Sequence, residues 1–123
     1  MQVQINTDHS VELNAALATH VHGVVTKALS RLSDHITRVE VHLNDESSHK
    51  ITPNDKRCAM EARLEGRQPL TVTQQAATFH EAIDGAASKL SRRIQSKVGR
   101  LRDQRIRAPA VSHLEQPATV GAD

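Results

Sequence analysis

Aromatic side chains are almost absent from this sequence of 123 residues, which has no tryptophan or tyrosine and a single phenylalanine, Phe79. Proteins that hold single-stranded RNA by stacking its bases need aromatic platforms, so this chain cannot bind RNA in that way. Apolar residues make up 37% of the sequence. Since most of them are alanine, valine, leucine and isoleucine, they predict one domain with a modest aliphatic core.

Cysteine is equally scarce, because Cys58 is the only one in the sequence. A single cysteine excludes an intramolecular disulfide, and its place in an alternating apolar segment predicts a buried thiol. No apolar run approaches the ~18 residues of a membrane-spanning helix, and the first ten residues lack the apolar stretch of a signal peptide. We therefore expect a soluble, cytoplasmic protein that does not bind membranes.

Motifs for catalysis and for cofactor binding are also missing. The sequence contains no glycine-rich phosphate loop, no nucleophile elbow and no HExxH motif. Its eight histidines do not have the spacing of a zinc module; His20 and His22, for example, would lie about 200° apart around a helix. We therefore expect a protein that is not an enzyme and that has no metal site, no cofactor and no small-molecule substrate.

Positive charge is concentrated in one late segment of the chain. Residues 1–88 contain eight basic and eleven acidic side chains, a net charge of −3, whereas residues 89–107 contain eight basic side chains and one acidic, a net charge of +7. Such asymmetry within one small domain indicates a polyanion as the partner. The basic residues of most interest are Lys89, Arg92, Arg93, Lys97, Arg100 and Arg102.

Four segments alternate between apolar and polar residues, as β-strands with one buried face do. They are residues 2–6, 38–44, 57–65 and 69–74. The polar segment 45–55 predicts an exposed loop, and Gly66 marks a hairpin turn between the last two strands. The predicted outer face of the sheet carries mixed charge, on Arg38, Glu40, Arg57, Glu61 and Arg63.

Two segments have the spacing of amphipathic helices. The first covers about residues 15–32, with Asn14 as its N-cap. Its predicted apolar face consists of Leu17, Val21, Val24, Ala28 and Leu32. The second covers residues 78–105 and begins with a capping-box pattern at Thr78 and Glu81. We expect its first half to pack on the sheet and its second half to project and present the basic residues, about 90° around the helix from the apolar stripe.

The order β-α-β-β-β-α predicts an α+β fold of two layers, a four-stranded sheet with both helices packed on one face. If the first two strands are parallel, the first helix forms a right-handed crossover between them. This domain covers residues 1–107. Residues 108–123 contain two prolines and no periodicity, and they predict a disordered C-terminal tail.

Two segments resemble one known family, the ribosome hibernation-promoting factors, also called ribosome-associated inhibitor A or sigma-54 modulation proteins. "MQVQINTDHSVELNAAL" (1–17) is similar to the opening of that family. "HEAIDGAASKLSRRIQSKVGRL" (80–101) resembles its most recognisable segment, an Ala-Ile-Asp core followed by Lys-Leu and alternating basic residues. The resemblance covers about residues 1–105 and is to the short form of the family. Family members usually carry Asp-Met/Leu-Tyr where this chain has Thr78-Phe79-His80.

The resemblance implies a translation regulator that binds the bacterial small ribosomal subunit near the mRNA channel and the tRNA sites. It implies that the protein silences translation in stationary phase or under stress and that it is a monomer away from the ribosome. The six basic residues named above would contact rRNA phosphates, and Lys27 and Arg31 on the first helix would extend this surface. The mechanism would be occlusion of the ribosome.

Two other interpretations remain open from the residues alone. Strands followed by a basic C-terminal helix are also found in the double-stranded RNA-binding domain, although this chain has an additional first strand and an acidic start to its last helix. Alternatively, the open face of the sheet serves a protein–protein adaptor. Partner binding that is insensitive to salt and unaffected by changes at Arg92 and Arg93 would favour the adaptor.

Overall fold

The computed structural model describes residues 1–46 and 54–110, with side chains described as far as residue 99. Its elements follow the predicted order β-α-β-β-β-α. The strands are β1 (Gln2–Thr7), β2 (Ile36–Asp45), β3 (Lys56–Leu64) and β4 (Leu70–Ala76). The helices are α1 (Ala15–Leu29) and α2 (Phe79–Ala110), with a 3₁₀ helix (Ser30–His35) between α1 and β2. The predicted α+β fold is therefore confirmed.

The four strands form one mixed sheet in the order β1-β2-β3-β4. β1 and β2 are parallel because α1 connects them across one face, while β2, β3 and β4 are antiparallel neighbours. Gly66 adopts a φ of 70° in the turn between β3 and β4, a conformation that glycine adopts without steric cost. The predicted loop 45–55 begins one residue later, because Asp45 belongs to β2, and its residues 47–53 lie outside the described part of the chain.

The core lies between one face of the sheet and the two helices. α2 contacts β3 and β4, and α1 contacts α2 and β1. The apolar positions of the alternation in β2 and β3, which point to the same face of the sheet, are all buried. They are Val39, Val41, Leu43, Cys58, Met60, Ala62 and Leu64. Full burial of each larger aliphatic side chain contributes about 1.5–3 kcal/mol relative to exposure, which makes this layer the main source of stability.

The apolar face of α1 differs from the predicted one. Its buried residues follow one row at a spacing of four: Leu17, Val21, Val25 and Leu29. Leu17, Val21 and, in the 3₁₀ helix, Leu32 are buried as predicted, whereas Val24 and Ala28 are half-buried against the core, next to α2. The prediction was wrong here because two adjacent rows of α1 are apolar, and only the position of α2 decides which row faces the sheet.

Both helix starts are capped as predicted. The Leu17 backbone N–H donates to Asn14 Oδ1 at 2.8 Å, and the Glu81 N–H donates to Thr78 Oγ1 at 3.1 Å. α2 continues to Ala110, so residues 108–110 of the predicted tail are helical, and residues 111–123 lie outside the described part. Within the described residues, no helix is both long enough and apolar enough to cross a membrane.

Candidate nucleic-acid interface

Packing along α2 extends further than the sequence suggested. Burial continues through Leu90, Ile94 and Val98, well past the first half of the helix. α2 also packs on α1 and on the 3₁₀ helix, so apolar partners are available beyond the sheet. The prediction that the second half projects is therefore wrong as far as Val98, and three of the basic residues lie beside the packed part of the helix.

These three residues line an open groove between α2 and the edge strand β4. Lys89, Arg92 and Arg93, with Ser96, form the helix side of the groove, and residues 71–73 form the strand side. The groove has a volume of about 540 Å³. Spacings of three and four residues along α2 place the cations on one side of the helix, because a turn takes 3.6 residues. The fold thus concentrates three positive charges along one channel.

The three cations have no acidic partners among the described residues. Lys89 Nζ donates to the backbone carbonyl of Thr73 at 2.9 Å, which ties α2 to β4. Arg92 Nη1 donates to Ser88 Oγ at 3.0 Å, and the Arg93 side chain is exposed. Their charge is therefore not neutralised within the described part of the chain, and it is available to an anion outside it.

The other predicted basic residues are distributed differently. Lys27 lines a second groove, of about 430 Å³, between α1 and α2, and Arg92 lines both grooves. Arg31 is exposed on the 3₁₀ helix and Lys97 is half-buried on α2, and neither of them lines either groove. Arg100 and Arg102 belong to α2 by their backbone, but their side chains lie outside the described part.

The open face of the sheet has the mixed charge that the sequence predicted, and its charges pair with one another. Glu40 lies 2.7 Å from Arg38 Nη2, 3.8 Å from Arg63 Nε and 3.6 Å from His42 Nε2. Arg63 Nη2 also lies 3.8 Å from Glu61. Because these arginines are matched by carboxylates, this face attracts a polyanion less than the groove does.

Sequence reasoning missed several residues that the fold brings together. Thr71 and Thr73 lie at outward positions of a strand, which gave no signal that β4 would be at the sheet edge beside α2. His20 Nε2 lies 2.9 Å from Asp84 Oδ1, and the His20 and His80 ring centroids are 4.1 Å apart, so these residues link the two helices. No cluster of three or more histidine, cysteine, aspartate or glutamate residues in the described ranges could hold a metal ion.

Cys58 is buried, as predicted, and lies away from the groove on β3. Burial disfavours the charged thiolate and raises the pKa of the Cys58 thiol to about 12. This cysteine is therefore a core residue, and a nucleophilic role at neutral pH would require the opposite shift.

Two solved structures share this fold. The N-terminal domain of Thermus thermophilus Protein Y has a TM-score of 0.65 and 19% sequence identity, and the match covers 78% of this chain and 98% of that one. A ribosomal subunit interface protein from Coxiella burnetii has a TM-score of 0.61 and 16% identity, with 79% of this chain and 97% of that one covered. Both have the length of the described domain.

Sequence comparison identifies the family even though identity to these structures is low. No match is found among curated proteins. The model of the family described as "Sigma 54 modulation protein / S30EA ribosomal protein" matches residues 3–102, which run from the second residue of β1 to three-quarters of the way along α2. The resemblance seen in residues 1–17 and 80–101 is thereby confirmed. This chain belongs to the sigma 54 modulation protein / S30EA ribosomal protein family, whose members are ribosome-associated modulation factors.

Proposed function

We propose that this protein is a ribosome hibernation factor that binds the small ribosomal subunit near the mRNA channel and the tRNA sites. By occupying those sites it represses translation under stress or in stationary phase. Family membership supports association with the ribosome, and the cytoplasm is then its place of action. The protein acts by binding and occlusion, without a catalytic step.

The observation that carries this proposal is the groove between α2 and β4, whose three cations have no acidic partner among the described residues. Ribosomal RNA presents a continuous line of phosphates, and a channel follows such a line better than scattered charges do. Arg92 and Arg93 are suited to bidentate phosphate contacts because a guanidinium presents parallel N–H donors. The Lys89 ammonium donates one N–H to the Thr73 carbonyl and retains two N–H donors for an anion.

The salt dependence of binding follows from the number of phosphate contacts. Lys97 and Arg100 lie further along α2, and we include them with the three groove cations as five contacts. Each phosphate contact contributes roughly −0.7 to −0.9 to the slope of log affinity against log salt concentration. Five contacts therefore give a slope of roughly −3.5 to −4.5.

The test is co-sedimentation of the purified protein with bacterial 30S and 70S particles across a salt series. The double variant Arg92→Glu/Arg93→Glu reverses two exposed charges in the groove. The control Arg57→Glu/Arg67→Glu makes the same change in net charge on the sheet and its turn. We expect the native protein and the control to sediment with the particles at low salt, and the groove variant to remain in the supernatant.

The same experiment separates the alternatives. Failure of the native protein to sediment at low salt contradicts ribosome binding. Equal losses in both double variants would assign the effect to net charge and contradict the role of the groove. Binding that is insensitive to salt and retained by the groove variant favours a protein–protein adaptor that uses the open sheet face. Equal competition by arbitrary duplex RNA favours a module that resembles the double-stranded RNA-binding domain.

A further inference from the structure

β4 is an edge strand whose own sequence carries neither charge nor proline against pairing. It has β3 as its neighbour on one side and ends the sheet on the other. Its seven residues, LTVTQQA, contain no charged residue and no proline, although edge strands usually carry such residues to prevent association with another strand. The sequence of β4 itself therefore leaves the edge able to accept a further strand.

The backbone of this edge already receives two side-chain donors, Lys89 Nζ on the Thr73 carbonyl and Gln74 Nε2 on the Gln75 carbonyl at 3.1 Å. In an antiparallel pair, alternate residues direct both their N–H and their C=O away from the neighbouring strand. The Thr73 carbonyl accepts from Lys89 Nζ at 2.9 Å, so the backbone N–H and C=O of Thr73 point to the open edge of the sheet. The backbone groups of Thr71 and Gln75 point the same way. The Lys89 and Gln74 side chains thus stand where N–H groups of an incoming strand would donate, so they must release these carbonyls when a strand pairs.

We propose that the groove between β4 and α2 binds an extended acidic segment of another protein. The segment pairs with β4 as a fifth strand, and its carboxylates contact Lys89, Arg92 and Arg93. Side chains of a paired strand alternate between the two faces of the sheet. Acidic side chains at every second position would therefore all lie on the face that α2 covers, where the cations are.

A peptide backbone suits this edge better than the other candidate occupants do. The outward groups of β4 are both donors and acceptors at the spacing of a strand, and a peptide offers both at the same spacing, whereas an RNA backbone has only its 2′-hydroxyls to donate to the carbonyls. A second copy of this chain would bring its own Lys89, Arg92 and Arg93 to the same groove, and like charges would repel. Charge and backbone chemistry together therefore favour an acidic strand.

This binding activity goes beyond the proposed ribosome function and does not depend on it. The two are connected, however, because they use the same three cations. A protein that carries an acidic extended segment would exclude RNA from the groove while bound, and it would release the factor from the ribosome by competition.

The probe is an eight-residue peptide in which threonine alternates with glutamate, blocked at both ends and labelled with fluorescein. One matched peptide carries an N-methyl group at every residue, which keeps the charge but blocks strand pairing along both edges. Another has lysine in place of glutamate. Fluorescence anisotropy measures affinity for the full-length protein, and hydrogen exchange followed by NMR measures the protection of individual backbone amides.

We expect the glutamate peptide to bind saturably and the N-methylated and lysine peptides to bind at least tenfold more weakly. The amides of Thr71, Thr73 and Gln75 should become protected. The variant Arg92→Glu/Arg93→Glu should lose at least tenfold in affinity, and the control Arg57→Glu/Arg67→Glu should stay within about twofold of the native protein.

Three results would each overturn the proposal. Equal binding of the N-methylated peptide would show attraction by charge alone. Binding without protection of the β4 amides would place the peptide elsewhere. Protection of those amides by an oligouridylate but not by the peptide would make RNA the occupant of the edge. Circular dichroism of each variant confirms that a loss of affinity does not result from unfolding.

Discussion

Truncation of Leu90 to alanine tests how far the packed part of α2 extends. Leu90 is fully buried within the core that α2 forms with the sheet and α1, and it lies between the groove residues Lys89 and Arg93 along the helix. The basic residues of the groove thus lie on a firmly packed part of the helix and not on a projecting end. Removal of the Leu90 side chain should then destabilise the whole domain.

The expected magnitude follows from the burial. Buried leucine-to-alanine changes cost about 2–5 kcal/mol, because the transfer free energy of the side chain is lost and a cavity remains. For a fully buried site we expect about 3 kcal/mol. At about 2.1 cal/mol/K per residue, unfolding a domain of this size has an entropy near 0.26 kcal/mol/K, so the melting temperature should fall by about 12 °C.

Leu13→Ala is the matched control, since it makes the same chemical change at a leucine that is 40% exposed. We expect it to change the free energy of unfolding by about 0.5 kcal/mol or less. Urea unfolding followed by circular dichroism gives both values, and calorimetry gives the melting temperatures. A Leu90→Ala effect below about 1 kcal/mol, or one equal to that of Leu13→Ala, would refute the packing of α2 described here.

Two further predictions concern the core and the helices. Because burial raises the pKa of the Cys58 thiol from 9.0 to about 12, a disulfide reagent at pH 8 should modify the native protein at least about a hundredfold more slowly than the urea-unfolded chain. The same shift makes folding stability decline as pH rises above about 9, since the unfolded thiol ionises first. Gly23→Ala, with nothing within 4 Å of the new methyl group, should stabilise the protein by about 0.5–1 kcal/mol. Gly85→Ala places its Cβ 2.8 Å from Gln74 Cγ, so we expect no increase in the melting temperature.

Local patterns were sufficient for the order of elements and for most of the core. Alternation identified the inward residues of β2 and β3, and the caps at Asn14 and Thr78 located the helix starts, because these signals depend on neighbours in the chain. The resemblance in residues 1–17 and 80–101 was sufficient for the family. The apolar row of α1 and the extent of packing on α2 were not predictable, since they depend on which surfaces the helices meet.

The basic residues of the candidate site could also be predicted from the sequence, but their surroundings could not. Its cations were visible in the sequence as a run of positive charge, since composition and helical spacing are local properties. Their surroundings were not: only the fold places β4 at the edge of the sheet beside α2 and brings the Lys89 ammonium to the Thr73 carbonyl. Residues that lie sixteen positions apart in the chain thereby form one groove. Tertiary packing determines whether the basic residues form a scattered surface or a channel beside a strand edge. Strand pairing and burial act between segments that are distant in the chain, so the sequence pattern alone does not show them.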